Sequence, residues 1–361
     1  MPVAEAPATR EELCSALAAA GEAGTPVRFR GGGTKQAWPP APPEGTLELA
    51  TSGLDSILEH NAGDLTAVLE AGVPLAEAQS VFAKEGQMLA LDPPDGGATV
   101  GGVVASGDTG PLRGRYGGPR DLVVGMRVAL SDGTLAKSGG KVIKNVAGYD
   151  IAKLFAGSFG TLGAIVELSV RLHPVAPAAA TAVGHAGDPE ELGRGTAAVS
   201  RSPLEHHGLD VRWSDGSGSV LIRFAGATPR PQAEAAARLL REEGLTTAIE
   251  DDDRLWDEQR AGQRGALVVK VSALPTRLPE LLRVADELGA ALVGRATLGL
   301  WWLRFEEAQA SSVERLRRDF LARVEDRPAG LDVDPAAPLD PAARALMQRV
   351  KDRFDPAGVC V

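Results

Sequence analysis

Cysteine is nearly absent from this chain of 361 residues: Cys14 and Cys360 sit near opposite ends, and neither belongs to a CxxC pair. No zinc ribbon or iron–sulfur ligand set can be assembled from them, and two isolated thiols fit a reducing compartment. Positive charge is short as well. A formal net charge of -10 and a pI near 5.2 argue against a nucleic-acid footprint, which needs clustered Lys and Arg. No segment approaches the length of apolar chain that crosses a bilayer, and Met1 to Glu5 shows no basic region followed by an apolar run. The expectation is a cytoplasmic chain, peripheral to a membrane only through partners. Two nucleotide-binding spacings are missing too. No G-x-G-x-x-G closes a strand and opens a helix, and no G-x-x-x-x-G-K-[ST] occurs.

What is present is glycine, in three runs within the first half. Pro26 to Phe29 reads as a strand that stops at Arg30-Gly31-Gly32-Gly33-Thr34-Lys35. A second run follows at Asp92-Pro93-Pro94-Asp95-Gly96-Gly97-Ala98-Thr99-Val100-Gly101-Gly102, and a third at Gly157 to Gly163. Residues without Cβ let the backbone turn at positive φ and present bare N–H groups to an anion. Any one run alone reads as a turn, but two in the same half point to a diphosphate cofactor.

Length favours two domains, because single cores stop growing at roughly 250 to 300 residues. We expect domains at 1–174 and 175–336, with 337–361 as a helix and tail that pack back on the first. Thr9-Arg10-Glu11-Glu12 reads as a capping box before a helix from Leu13 to Ala20, stopped by Gly21. Strands are expected at Val27 to Arg30, Leu47 to Ala50 and Ala67 to Ala71, then a helix between Pro74 and Gly86. Asp132-Gly133 predicts a hairpin between 121–130 and 134–137. Ala164 to Leu172 alternates as a strand with one wet face. His173-Pro174 and the Pro/Ala run to Ala180 read as a boundary. Beyond it, Val220 to Phe224, Gln232 to Glu243 and Thr246 to Ile249 make one strand–helix–strand unit. Leu267 to Val271, Leu278 to Leu288 and Leu292 to Val293 make another, with a further strand at Leu298 to Phe305. The fold class is α+β, its second part a ferredoxin-like antiparallel sheet covered by helices on one face. Charged helices are expected at Ser312 to Val324 and from Pro341 to Arg353.

The series Arg30 to Thr34, Asp92-Pro93-Pro94, Thr99 to Gly102, Arg115-Tyr116-Gly117, Arg120-Asp121, Lys144 to Asp150 and Gly157 to Gly163 resembles the PCMH-type FAD-binding domain of the vanillyl-alcohol oxidase superfamily. Within it the chain is similar to the flavin-binding E subunits of bacterial glycolate oxidases. The likeness is dense from Arg28 to Pro174. It is thin afterwards, with Arg254-Leu255-Trp256 and Phe354-Asp355-Pro356 as weaker markers.

That resemblance implies a two-subdomain FAD-binding domain followed by a cap domain, with amides from Gly31 to Lys35 on the FAD pyrophosphate and added charge from Lys35. It implies that the Pro93 to Gly102 loop lines the isoalloxazine, with the Thr99 hydroxyl and the Gly101 and Gly102 amides as donors beside Val100. Ala105, Ser106 and Gly107 would follow the ribityl chain. Arg120 and Asp121 would pair to hold the loop, and Gly160, Gly163 and Ile165 would approach the adenine end. Covalent attachment in this superfamily uses a His or Cys near the glycine loops, and none lies at 28–35 or 91–120, so FAD should be noncovalent.

A cation beside the N1 and C2 carbonyl edge of a flavin raises its reduction potential, and Lys141, Lys144, Arg113 and Arg115 are candidates against the alternative of solvated side chains. Oxidising a 2-hydroxy acid also needs a base and a cation for the carboxylate. Few candidates present themselves. The histidine-rich metal motif of larger related flavin subunits has no match here, so no metal is expected. His206-His207 reads as a loop pair, since neighbours on a strand point to opposite faces. His173 reads as a turn residue, Trp256 and Trp301-Trp302 as core or interface, and Asp251-Asp252-Asp253 as a helix N-cap. The catalytic base stays unassigned. By resemblance, partners would be a second FAD subunit and an iron–sulfur subunit, with glycolate or D-lactate as substrate. The alternatives are a self-sufficient FAD-dependent alcohol oxidase and an assembly subunit that keeps only the flavin fold.

Overall fold

The computed structural model describes residues 3–141 and 150–361. Ten strands come first: β1 (Val3–Glu5), β2 (Val27–Arg30), β3 (Leu47–Ala50), β4 (Ile57–Asn61), β5 (Thr66–Glu70), β6 (Gln87–Met88), β7 (Val123–Ala129), β8 (Leu135–Gly139), β9 (Ala164–Arg171) and β10 (His173–Pro174). Eight follow: β11 (Ala178–Ala186), β12 (Gly208–Ser214), β13 (Ser217–Gly226), β14 (Thr246–Glu250), β15 (Leu267–Ser272), β16 (Ala291–Arg295), β17 (Leu300–Phe305) and β18 (Leu321–Val324). They form a small parallel sheet, β1-β3-β2, an antiparallel sheet, β4-β5-β9-β7-β8, the pair β6-β10, and an eight-stranded antiparallel sheet, β14-β11-β13-β12-β16-β17-β15-β18. This is a PCMH-type α+β architecture, with both kinds of layer predicted from the sequence.

Local chemistry explains the elements, including those placed wrongly from sequence. Thr9 Oγ1 accepts from the Glu12 amide and opens the first helix, but that helix runs over Arg10–Ala23. Gly24, at φ 64, ends it rather than Gly21, because the left-handed position falls one turn later. The β7–β8 hairpin turns at Asp132-Gly133 as expected, with Gly133 at φ 80. β9 has no wet face: Ser169 is buried, and Glu167 binds Arg10 at 2.7 Å and Arg127 at 3.2 Å. It is the central strand, between β5 and β7, and helices and sheet cover both its sides.

The supposed boundary at His173 to Ala180 is structured. His173-Pro174 pairs with Gln87-Met88, and the alanine run begins β11, where Ala180 and Ala182 are small because helix Pro229–Glu242 packs on them. β1, β4, β6, β12 and β18 were not foreseen either. The helix expected at Ser312 to Val324 is helix Ala310–Asp319 followed by strand β18. Helices Pro189–Arg201, Pro229–Glu242, Leu278–Glu287 and Ala310–Asp319 bury one face of the wide sheet. Its other face is not left bare, since helix Arg254–Ala261 packs Trp256 against Val183 and Leu221 there.

After helix Pro341–Phe354 the tail returns to the first sheet. The Val27 amide donates to Val359 O at 2.7 Å, and the Val361 amide donates to Val27 O at 2.9 Å. Lys351 Nζ clamps the turn, donating to Thr161 O at 3.0 Å and Cys360 O at 2.7 Å. Among the described residues no helix is long and apolar enough to cross a membrane.

Candidate FAD site and the contact between the two halves

Strand β2 delivers its last residue, Arg30, to the edge of the first glycine loop, where the side chain turns away to Glu48 at 3.1 Å. The loop then lies directly on the second one. A Cβ at Gly32 would stand 1.9 Å from Gly97 O, and one at Gly31 would stand 2.3 Å from Thr99 Oγ1, so only bare backbone fits at these two positions. Among the described residues none of the amides from Gly31 to Lys35 donates a hydrogen bond within the protein. Unpaired N–H groups in a row are what an anionic ligand such as a pyrophosphate requires.

Gly31 to Lys35 line a cleft with Thr99, Gly101, Gly102, Ala105, Ser106, Gly160, Gly163 and Ile165, all expected from sequence. The cleft is open to solvent on one side. Arg28, Phe29, Gln36, Pro39, Thr51, Ala71, Phe159 and Ala164 also line it and were missed. Several adjoin residues that were named; Phe159 sits inside the third glycine run at φ 53, a strained value for a bulky side chain.

Other expectations change. The Gly101 amide is committed to Ala71 O at 2.8 Å, and the Gly102 amide to Thr99 Oγ1 at 3.2 Å. Both are therefore unavailable as donors to a ligand, the first held by the neighbouring strand end and the second by Thr99, the N-cap of helix Val100–Ser106. Val100 is core, and Gly107 is that helix's left-handed cap at φ 68. Asp121 does not pair with Arg120; its Oδ2 accepts from the Gly118 amide at 2.8 Å. Asp92, Pro93 and Pro94 lie off the cleft, Asp92 accepting from the Leu112 amide at 3.0 Å. Tyr116 stacks near His173 and His207, Arg115 reaches Glu205 at 3.8 Å, and Lys141 pairs with Glu59. Lys144 and the segment 142–149 lie outside the described residues.

Lys35 also has a different setting from the one expected. Its ammonium is buried, 2.9 Å from Asp95 and 3.2 Å from Asp108, so its charge is already matched. Arg264, from the loop before β15, binds the same two carboxylates at 2.7 and 2.6 Å. Its guanidinium lies 4.9 Å from the Trp38 ring, whose Nε1 donates to Asp326 at 2.9 Å. Burial opposes ionisation of Asp95, but the hydrogen bonds and charge of Arg264, aided by Lys35, hold its carboxyl below the usual range. The two glycine loops are thus tied to the eight-stranded sheet by a buried ionic knot that sequence spacing does not reveal.

A second polar cluster lies beside it on the sheet face opposite the main helices. Cross-strand register aligns Arg212, Val293, Trp302, Lys270 and Arg323 on that face. Glu325 accepts from Trp302 Nε1 at 2.8 Å and from Arg323 at 2.5 Å, and Lys270 Nζ stands 3.4 Å from it. One carboxylate thus serves two cations. Burial works against the Glu325 charge, yet Lys270 and Arg323 pull its pKa down to about 2. Lys270 is lowered to about 8, by burial first and by Arg323 and Arg113 against the pull of Glu325. Burial lifts Asp92 to about 7 and Asp210 to about 6. Trp256, Trp301 and Trp302 are fully buried, in accord with a packing role. Among the described residues no group of three or more His, Cys, Asp or Glu could hold a metal ion.

A cleft of unpaired loop amides on this architecture suits the anionic part of a nucleotide cofactor. Residues 2–139 match the FAD binding domain family. Over 168 residues the chain is 34% identical to an uncharacterized FAD-linked oxidoreductase of Mycobacterium tuberculosis, covering 46% of this chain and 37% of that protein. It is 37% identical over 171 residues to the glycolate oxidase subunit GlcD of Bacillus subtilis, covering 47% and 36%. In both cases it spans little more than a third of the relative. Its likeness to the glycolate oxidase subunit GlcE of Escherichia coli is longer, 29% identity over 312 residues, covering 84% of this chain and 82% of the other. Among solved structures, an alkyldihydroxyacetonephosphate synthase shares the fold, with a TM-score of 0.72 at 16% identity over 99% of this chain and 75% of that one.

Proposed function

We propose that this chain is an FAD-carrying oxidoreductase subunit acting in the oxidation of glycolate or a related 2-hydroxy acid such as D-lactate. The observation that carries the reading is the likeness to GlcE, which runs through both halves of the chain rather than through the FAD binding domain alone. The amides of Gly31 to Lys35 hold the pyrophosphate, and Thr51, Thr99 and Ser106 offer hydroxyls along the same cleft. Among the described residues no His or Cys lines the cleft, and in this reading FAD is held noncovalently. When bound, FAD supplies a two-electron acceptor. The protein's part is to fix it between the glycine loops and to exclude water where the eight-stranded sheet closes over them.

Electrons leave through partners in this reading, a second FAD subunit and an iron–sulfur subunit, since two scattered cysteines give the chain no cluster of its own. The complex is cytoplasmic or lies on the membrane surface through those partners. The test begins with the purified chain: bound flavin absorbance and its release on denaturation are expected, and a chain that takes up no FAD refutes the reading. Anaerobic glycolate or D-lactate should bleach that flavin when the partner subunits are present. Rapid oxidation of either acid by the isolated chain with an artificial acceptor would overturn the assignment of electron exit to partners.

A further inference from the structure

Buried donors without acceptors are rare in folded proteins, and a cationic one is costly unless something anionic reaches it. Arg295, the last residue of β16, is 1% exposed. Its Nη2 donates to Gln263 Oε1 at 2.5 Å and to Thr109 O at 3.4 Å, but Nε and Nη1 are buried with no partner. Asp210 stands 3.9 Å from Nε, too far for a hydrogen bond. Arg323 Nε and Thr109 Oγ1 are buried and unpartnered as well. The side chain of Arg113, from the first half of the chain, makes no hydrogen bond or ion pair among the described residues, and burial and then the charges of Arg295 and Arg323 lower its pKa, against the pull of Asp121. Four cations, Arg113, Lys270, Arg295 and Arg323, therefore converge where the two halves meet. Glu325 is already shared between two of them.

We infer that this cluster is a binding site for a small carboxylate anion. Arg295 and Arg323 would supply its unused N–H groups, Thr109 its hydroxyl, and Arg113 its free charge. The buried Trp302 ring lies 4.5 Å from the Arg295 guanidinium and 4.7 Å from Lys270 Nζ, and so holds these two cations side by side. Compactness separates this site from the pyrophosphate loop, which offers backbone amides rather than side-chain charge. Naming the anion as a 2-hydroxy acid rests on the proposed function; the existence of the site does not.

The experiment is calorimetric titration of the full-length, FAD-loaded chain with oxalate, a stable two-carbon probe, alongside inorganic phosphate. Saturable oxalate binding that salt weakens is expected, with phosphate binding at least about tenfold weaker. Arg295→Met and, as a milder second variant, Arg113→Gln should each raise the oxalate Kd by about tenfold or more, the loss for a charged hydrogen-bond partner, while keeping the wild-type content of FAD. No oxalate binding, equal binding of phosphate, or unchanged affinity in both variants would overturn the inference. If Arg295→Met fails to fold, Arg113→Gln decides alone. Oxalate binding by a protein whose flavin glycolate never reduces, even with partners, would keep the site and refute the proposed function. Flavin reduction that survives both substitutions at wild-type rate would do the reverse.

Discussion

Replacing Arg264 with methionine tests whether the eight-stranded sheet holds the FAD loops in place. The guanidinium donates through Nε to both Asp95 oxygens at 3.1 Å, and through Nη2 to Asp95 at 2.7 Å and Asp108 at 2.6 Å. Asp108 is 1% exposed, so the change strands carboxylates that water cannot easily reach. Removing one member of a buried ion pair costs about 3 to 5 kcal/mol. Lys35 stays in contact with both acids and Arg264 is itself 19% exposed, which argues for the lower end, about 3 kcal/mol. By size scaling that is a fall of roughly 4 °C in the thermal midpoint for a chain of this length. Because Gly97, two residues from Asp95, is the surface on which Gly32 rests, the damage should reach the cofactor. FAD affinity, followed by flavin fluorescence, should fall together with the midpoint. Arg264→Lys should recover less than half of the loss, since a point charge cannot reproduce a fork between two carboxylates. Adding Asp95→Asn to Arg264→Met should be less harmful than the single changes sum to, because the stranded charge is removed. A midpoint and FAD affinity both within error of wild type would refute the idea that this knot positions the loops.

Gly32→Ala places a methyl 1.9 Å from Gly97 O and should cost about 1 to 3 kcal/mol of overpacking, read as lost FAD on gel filtration with little change in far-ultraviolet dichroism. Oxalate binding should weaken as pH rises through about 8, where Lys270 loses its proton among Glu325, Arg323, Arg295, Asp108 and Arg113; a flat profile from pH 7 to 9 would exclude Lys270 from the site. Glu325, lowered in the fold to about 2, stabilises the protein above its ordinary pKa of about 4.3 and loses that contribution as pH falls toward 2, so Glu325→Gln should flatten the acid limb of a stability–pH curve. Burial, followed by the charge of Asp355, pushes the Cys360 thiol up to about 12, so a thiol reagent should modify Cys14 alone until the tail is unfolded.

The parts legible in the sequence are those whose cause is local. A strand running into three glycines, an Asp-Gly hairpin, and Pro341 at the start of the last helix are each set by neighbours a few positions away, and each stands in the structure where it was placed. The alanines of β11 failed for the opposite reason. Their smallness reflects a helix some fifty positions later that packs on Ala180 and Ala182. Lys35 failed in the same way. A lysine at the end of a phosphate-type loop invites the reading that it adds charge to the ligand, because spacing shows the loop and nothing of what folds against it. The two acids that neutralise it come from two other loops, and Arg264, which shares them, lies 169 positions from Asp95. The positive charge left over sits deeper, on strands β15, β16 and β18 and at Arg113: the sequence marked Lys270 only as strand, put Arg323 in a helix, and named Arg113 as a flavin-edge candidate with no sign of the arginines it would face. The loops that take the cofactor are therefore written in short-range glycine chemistry. Three of the four cations stand on one sheet, and the fourth, Arg113, joins them only where the two halves meet, so Arg113→Gln should alter anion binding while leaving the glycine loops intact.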